Sequence, residues 1–226
     1  MLTTGIPKEF EMKKFMSCAL LLPVLFLVSC GMDIAATASI GDIAGLAGQT
    51  GKKYCVATIS APFSSDDFRQ RTIGLIGAYF IAPENIRNSK DSSNLLLAEV
   101  RIPLSYRQAD EKERSLFSVV VAQGESSYLV YLHLDKSLFD SLNEEVYGLE
   151  RQKLDISQMG VSFSLKNDTE SPVRLNVASV YADAKPIPFS GVVDVERGQS
   201  VTIVPSDALR DTLQAEDSIL IASVAK

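Results

Sequence analysis

The chain has 226 residues, 46% of them hydrophobic, 22% charged and 8% aromatic, and its 22 Lys and Arg against 28 Asp and Glu give a formal net charge of −6. That apolar share excludes a disordered chain, and the acidic balance argues against nucleic acid as a partner, since phosphates need clustered cations. With three cysteines and one histidine, a disulfide scaffold or a Cys/His zinc site has too few residues to build on, and no cofactor is expected.

The most informative stretch lies at the start. Lys13 and Lys14 precede an apolar run from Phe15 to Val28, followed by Ser29 and Cys30. A run of this length rises only about 21 Å as a helix, short of the roughly 30 Å of a bilayer's hydrocarbon core. It reads as a signal peptide over residues 1–29 and not as a permanent anchor. Lys8-Glu9, a few residues before Met12, matches the purine-rich codons of a ribosome-binding site, so translation is expected to start at Met12.

Leu27-Val28-Ser29-Cys30 resembles the lipobox of bacterial lipoproteins. The resemblance implies cleavage between Ser29 and Cys30, a diacylglycerol on the Cys30 thiol and an acyl chain on the new amino group. At about 0.8 kcal/mol per buried CH₂, several such chains hold a protein firmly to a membrane. Gly31 stands where Gram-negative members retained in the inner membrane carry aspartate, so in a Gram-negative cell the resemblance implies the outer membrane, facing the periplasm or the cell surface. Cleavage there removes 29 residues with three lysines and two glutamates, leaving 197 residues and a charge of −7. Such a surface repels anionic head groups, so attachment rests on the lipid. Cys18 departs with the signal, which strands Cys55 without an internal partner; a lone thiol of this kind is expected to be buried and inert.

Beyond the cysteine, residues 30–52 are small and Gly-rich, as a lipidated tether would be, although Ile34 to Ile40 has the makings of a short strand. Tyr54 to Ser60 alternates as a strand, with Cys55, Ala57 and Ile59 on one face. Ser64-Ser65-Asp66-Asp67 opens the clearest helix, with Phe68, Thr72, Leu75, Ile76, Tyr79 and Phe80 on one stripe. Gly74 and Gly77 weaken that helix unless they admit close approach to a sheet. Residues 83–94 read as an exposed loop, and Leu95 to Tyr106 as a strand. Leu116–Ala122 and Ser127–Leu134 flank Gly124 as a hairpin. A helix follows from Lys136 to Tyr147, capped by Ser137 or Asp135, with Leu138, Leu142 and Val146 in register.

From Ile156 onward the pattern is almost purely β. Val161, Phe163 and Leu165 alternate with polar residues; a polar turn at Asn167–Pro172 follows, then Val173, Leu175 and Val177. A further hairpin is expected to pair Val193 and Val195 with Val201 and Ile203 across Glu196–Gln199. A short helix over Asp207–Gln214 and a strand over Ser218–Val224 close the chain. The expected fold is α+β and β-rich: an α+β part over 53–150 and an antiparallel Ig-like β-sandwich over 151–226.

Residues able to carry chemistry are few. His133 sits in a strand with Leu129 and Tyr131 on its face, as a half-buried structural histidine would. No Gly-x-Ser-x-Gly elbow accompanies it. The carboxylate pairs Asp66/Asp67, Asp110/Glu111 and Glu144/Glu145 suit helix starts and solvated faces. Asn167, Asp168 and Glu170 have oxygen ligands for a weak calcium site but suit a polar turn better. The segments Ser164–Asp168, Ser171–Val173, Val180–Asp183 and Lys185–Pro188 together resemble the tails of small bacterial and prophage lipoproteins and, broadly, Ig-like modules of envelope proteins.

The sequence therefore predicts a non-catalytic, lipid-anchored envelope protein. Its expected partners are the membrane, through the lipid on Cys30, and an envelope protein docking on exposed sheet edges. Alternatives are an accessory lipoprotein of a secretion or conjugation system, a prophage surface-exclusion lipoprotein, and an envelope hydrolase using His133, which requires a concave site with a serine or carboxylate in hydrogen-bond reach of that residue.

Overall fold

The computed structural model describes residues 31–46, 52–108, 113–151 and 153–226. Thirteen strands form one sheet. The strands of the first half are β1 (Asp33–Ser39), β2 (Lys53–Pro62), β3 (Ile81–Asn88), β4 (Leu95–Tyr106), β5 (Phe117–Gln123) and β6 (Ser127–Leu134). Those of the second half are β7 (Gly160–Lys166), β8 (Val173–Val177), β9 (Val180–Ala182), β10 (Lys185–Ile187), β11 (Gly191–Val195), β12 (Ser200–Pro205) and β13 (Ser218–Ala225). Among the described residues four α-helices decorate the sheet: α1 (Ile40–Gly45), α2 (Asp66–Tyr79), α3 (Lys136–Glu150) and α4 (Asp207–Glu216).

The spatial order is β10-β9-β12-β7-β1-β2-β4-β5-β6-β13-β8-β11, with β3 beside β4. Most neighbours are antiparallel, but β1 with β7 and β4 with β5 are parallel, so the sheet is mixed. It curls until it is nearly a barrel. Its two end strands, β10 and β11, are consecutive in the chain, and only residues 188–190 separate them. One hydrophobic core runs through the body from Ile34 to Val224, with Phe117 and Phe163 among its largest fully buried side chains.

Two expectations about organisation give way here. The boundary near residue 150 divides nothing, because β7 pairs with β1 and β13 pairs with β6 across it. The strands expected to form a separate Ig-like sandwich are parts of the common sheet. Nor are residues 33–46 a tether: β1 lies between β2 and β7, with Ile34, Ala36 and Ala38 buried. Small residues fit there because β1 is covered on both edges and packed on its inner face, where bulk is supplied by its neighbours.

The hairpin expected across Glu196–Gln199 is also replaced. Gln199 N–H donates to the Glu196 carbonyl (3.0 Å), so the tight turn is real. The strands it joins nevertheless diverge: β11 pairs with β8, and β12 pairs with β7 and β9. Likewise the Asn167–Pro172 turn joins β7 to β8, which are not paired with each other. The two turns are arches lying side by side, joined by bonds from Gly198 N–H to the Asn167 carbonyl (2.7 Å) and from Asn167 N–H to the Gln199 carbonyl (2.8 Å). Alternation identifies a strand and its inner face but is silent about its partner.

Residues 83–94 were expected to be a loop, yet Ile81–Asn88 is strand β3 on the edge of β4. Pro83 is tolerated because an edge strand need not donate on both sides. Ala82 and Asn85 take positive φ values of 46° and 50°, and the register slips between Ile81 and Glu84 and again before Arg87. A bulged, polar edge of this kind resembles a loop in composition.

The other elements follow their sequence signals. Ser65 caps α2, accepting from Phe68 N–H (3.2 Å), and Thr72, Ile76 and Tyr79 are its buried face. Asp135, and not Ser137, caps α3 through Leu138 N–H (2.9 Å). The β5–β6 hairpin pairs Phe117 with Leu134 and Gln123 with Tyr128 as expected.

Candidate functional site

Three places have features beyond those a stable sheet requires: the seam between β10 and β11, a cleft between α2 and α3, and the strip around His133. Ser29 and Cys30, the predicted cleavage and lipidation residues, lie outside the described residues, as does the Asp110/Glu111 pair. No helix among the described residues is long and apolar enough to cross a membrane.

At the seam, Ile187 ends β10 and Gly191 begins β11. A Cβ on Gly191 would lie 2.8 Å from Ile187 Cγ2, so glycine is what lets the two edges come this close. Ser179 Oγ donates to the Pro188 carbonyl (3.2 Å) and pins the link. Between them Phe189 stands 85% exposed, with Val192 (57%) on one side and Tyr181 (45%), opposite Pro186, on the other. An aromatic ring held in water on a pinned link gains nothing for the fold, since burying it would be worth about 1.5–3 kcal/mol. Each flanking strand pairs with one neighbour only, which leaves a row of main-chain donors and acceptors free on its outer side.

The cleft lies where α2 and α3 pack together at the end of β2. Phe68, Leu75, Ile76, Leu142, Val146 and Leu149 supply most of its wall, and Met32 closes one side. It offers about 70 Å³ to the centres of water-sized bodies. The few polar atoms nearby are already used. Thr72 Oγ1 donates to the Phe68 carbonyl (3.0 Å), and Tyr79 Oη donates to Glu145 Oε1 (2.8 Å), tying α2 to α3. Burial and that carboxylate push the Tyr79 phenol up to about 12, so it stays neutral and a donor. Glu145 is thus a partner for Tyr79.

His133 is half-buried on the face it shares with Leu129 and Tyr131, as its strand pattern predicts. The ladder register places Ser118, His133 and Ser218 in one row across β5, β6 and β13. Ser218 Oγ lies 2.9 Å from His133 Nδ1, so the serine contact foreseen for the hydrolase alternative is present. The neighbouring Asp217 is paired with Lys136 (2.6 Å), and the imidazole lies on a strand face outside the α2–α3 cleft.

Cys55 is 1% exposed, and burial pushes its thiol up to about 12. A thiol so placed is neutral and shielded, which matches the inert role expected of it. Of the oxygen ligands at 167–170, those of Asn167 and Asp168 are engaged in the fold. Asn167 is fully buried: Nδ2 donates to the Val195 (2.8 Å) and Ser171 (2.9 Å) carbonyls, and Oδ1 accepts from Thr169 N–H (3.0 Å) and Oγ1 (2.7 Å). Asp168 accepts from Ser39 Oγ and from Gly41 N–H (2.8 Å), which anchors the arch to the start of α1. The Ser39 bond holds its carboxyl below the usual carboxylate range, against a smaller opposing effect of burial. Among the described residues no group of three His, Cys, Asp or Glu side chains is arranged to hold a metal ion.

The fold therefore defines a β-rich protein built on one mixed, nearly closed sheet. Residues 53–226 match a family described as a domain of unknown function, DUF7424, and the chain belongs to that family. Comparison with curated proteins and with solved structures gave no match. The matched span starts at β2, so β1 and α1 precede it even though β1 lies inside the sheet.

Proposed function

We propose that this is a lipid-anchored envelope protein that holds a folded docking surface at a membrane and performs no chemistry of its own. The anchor is Cys30, whose thiol gives up its proton and, attacking a phospholipid donor, forms the thioether of diacylglycerol as the donor's C–O bond breaks and its phosphorylated head group leaves. The surface is the β10–β11 seam, and the observation that carries the reading is Phe189, largely exposed between two open strand edges. A partner strand would bond to the free main chain of β10 or β11 and cover the ring. In this reading the likeness to Ig-like envelope modules lies in use, docking through strand edges, and not in topology.

The test places a photocrosslinking amino acid at position 189 in intact cells, with exposed Arg71 on α2 as the control position. One dominant protein adduct is expected from 189 and none from 71. Fractionation of the same cells is expected to find the parent with membranes and Cys30→Ser released. Equal adducts from both positions, or none, refute the docking surface; equal membrane association of parent and Cys30→Ser refutes the anchor.

A further inference from the structure

We infer that the α2–α3 cleft is the seat of an acyl chain carried by the protein's own Cys30; this rests on the lipid-anchor reading above. Three observations converge on it. Met32, two residues after Cys30, is itself part of the cleft wall. Its position is fixed, because the Met32 carbonyl accepts from Gly160 N–H (3.2 Å) at the start of β7. Two residues of chain reach at most about 7 Å, which bounds how far a group on Cys30 can be tethered from Met32.

The cleft's chemistry suits hydrocarbon and little else. A single water needs roughly 10–15 Å³ of such space together with two to four polar partners. Here about 70 Å³ is available, but the adjacent hydroxyls of Thr72 and Tyr79 are already committed to Phe68 and Glu145. Water there would find only the spare lone pairs of those two hydroxyls as partners. A narrow, flexible methylene chain fits, and each buried CH₂ contributes about 0.8 kcal/mol. The rim points the same way, since Leu149 in the cleft wall remains 36% exposed at the end of α3. One chain in the cleft would press this face of the body against the bilayer that holds the others, leaving the anchor two residues of slack.

The experiment feeds cells a fatty acid bearing a photoreactive group near its tail, irradiates isolated membranes and maps adducts on the purified full-length protein by mass spectrometry. The expected result is that the fatty acid labels the parent and not Cys30→Ser, with tail adducts on peptides of α2 and α3. Leu149→Glu at the exposed rim is expected to retain the label but lose most of those adducts. Labelled protein whose tail reacts only with phospholipid, with another protein or with residues elsewhere on the body overturns the cleft assignment while leaving the anchor standing. Absence of label from the parent, or equal label in Cys30→Ser, overturns the anchor and this inference together.

Discussion

Replacing Asn167 with alanine tests the arch arrangement at its most buried polar point. The amide makes four hydrogen bonds of 2.7–3.0 Å, two given and two received. Truncation strips the Val195 carbonyl of a buried donor, at a cost of about 1–3 kcal/mol. The partners at Thr169 and Ser171 are nearer solvent and can turn to water, so their loss is worth about 0.5–1 kcal/mol in all. The expected total is about 3 kcal/mol, a large share of the roughly 5–15 kcal/mol that holds a typical domain folded. Asn167→Asp at neutral pH should cost more than alanine, because a carboxylate donates to neither carbonyl and sets a charge against both. Urea unfolding followed by far-ultraviolet circular dichroism measures this directly, which suits a chain without tryptophan. The midpoint should fall with little change in slope. Exposed Asn176 on β8 serves as control, and its alanine variant should stay within about 0.5 kcal/mol of the parent. If Asn167→Ala were equally mild, the amide would not be joining the two arches, and the account of this corner would fail.

Two further substitutions probe stability away from the core. Gly74→Ala in α2 meets nothing within 4 Å of the new Cβ, so it should stabilise the protein by about 0.5–1 kcal/mol in the same titration; destabilisation would show that the helix needs the glycine. Asp168→Asn should cost about 1 kcal/mol at neutral pH. The Asp168 carboxyl is held below its ordinary value, so its contribution is complete above about pH 4 and disappears as pH falls through the lowered value. Parent and variant midpoints should therefore converge in acid, and a gap that persists unchanged there would contradict the role given to the charge.

Local structure was readable from the sequence wherever one segment carries its own signal. The Ser65 cap with the Thr72–Ile76–Tyr79 stripe fixed α2, and Gly124 between two alternating runs fixed the β5–β6 hairpin. Pairing was not readable, because a period of two says which side of a strand faces inward and nothing of its neighbour. Val193–Val195 and Val201–Ile203 look like two arms of a hairpin, yet they part at Gly198 for opposite ends of the sheet. Asn167 was visible only as a turn residue, since its buried role depends on the Val195 carbonyl, 28 residues further along. The cleft was half visible: the stripe of α2 and the Leu138–Leu142–Val146 register of α3 were evident, but their meeting at Met32 is a product of tertiary packing. Phe189 carries no signal at all in a sequence, where an exposed and a buried phenylalanine are spelled alike.

The parallel ladder between β1 and β7 has a consequence for how the chain reaches its final form. Residue 33 pairs with residue 60 on one side but with residue 160 on the other, so the second edge of β1 must wait for well over half of the polypeptide to emerge. Loop closure on that scale is slow compared with the collapse of a local hairpin. Until then β1 would lack a neighbour on one edge, and a chaperone that shields bare strands would find its substrate there.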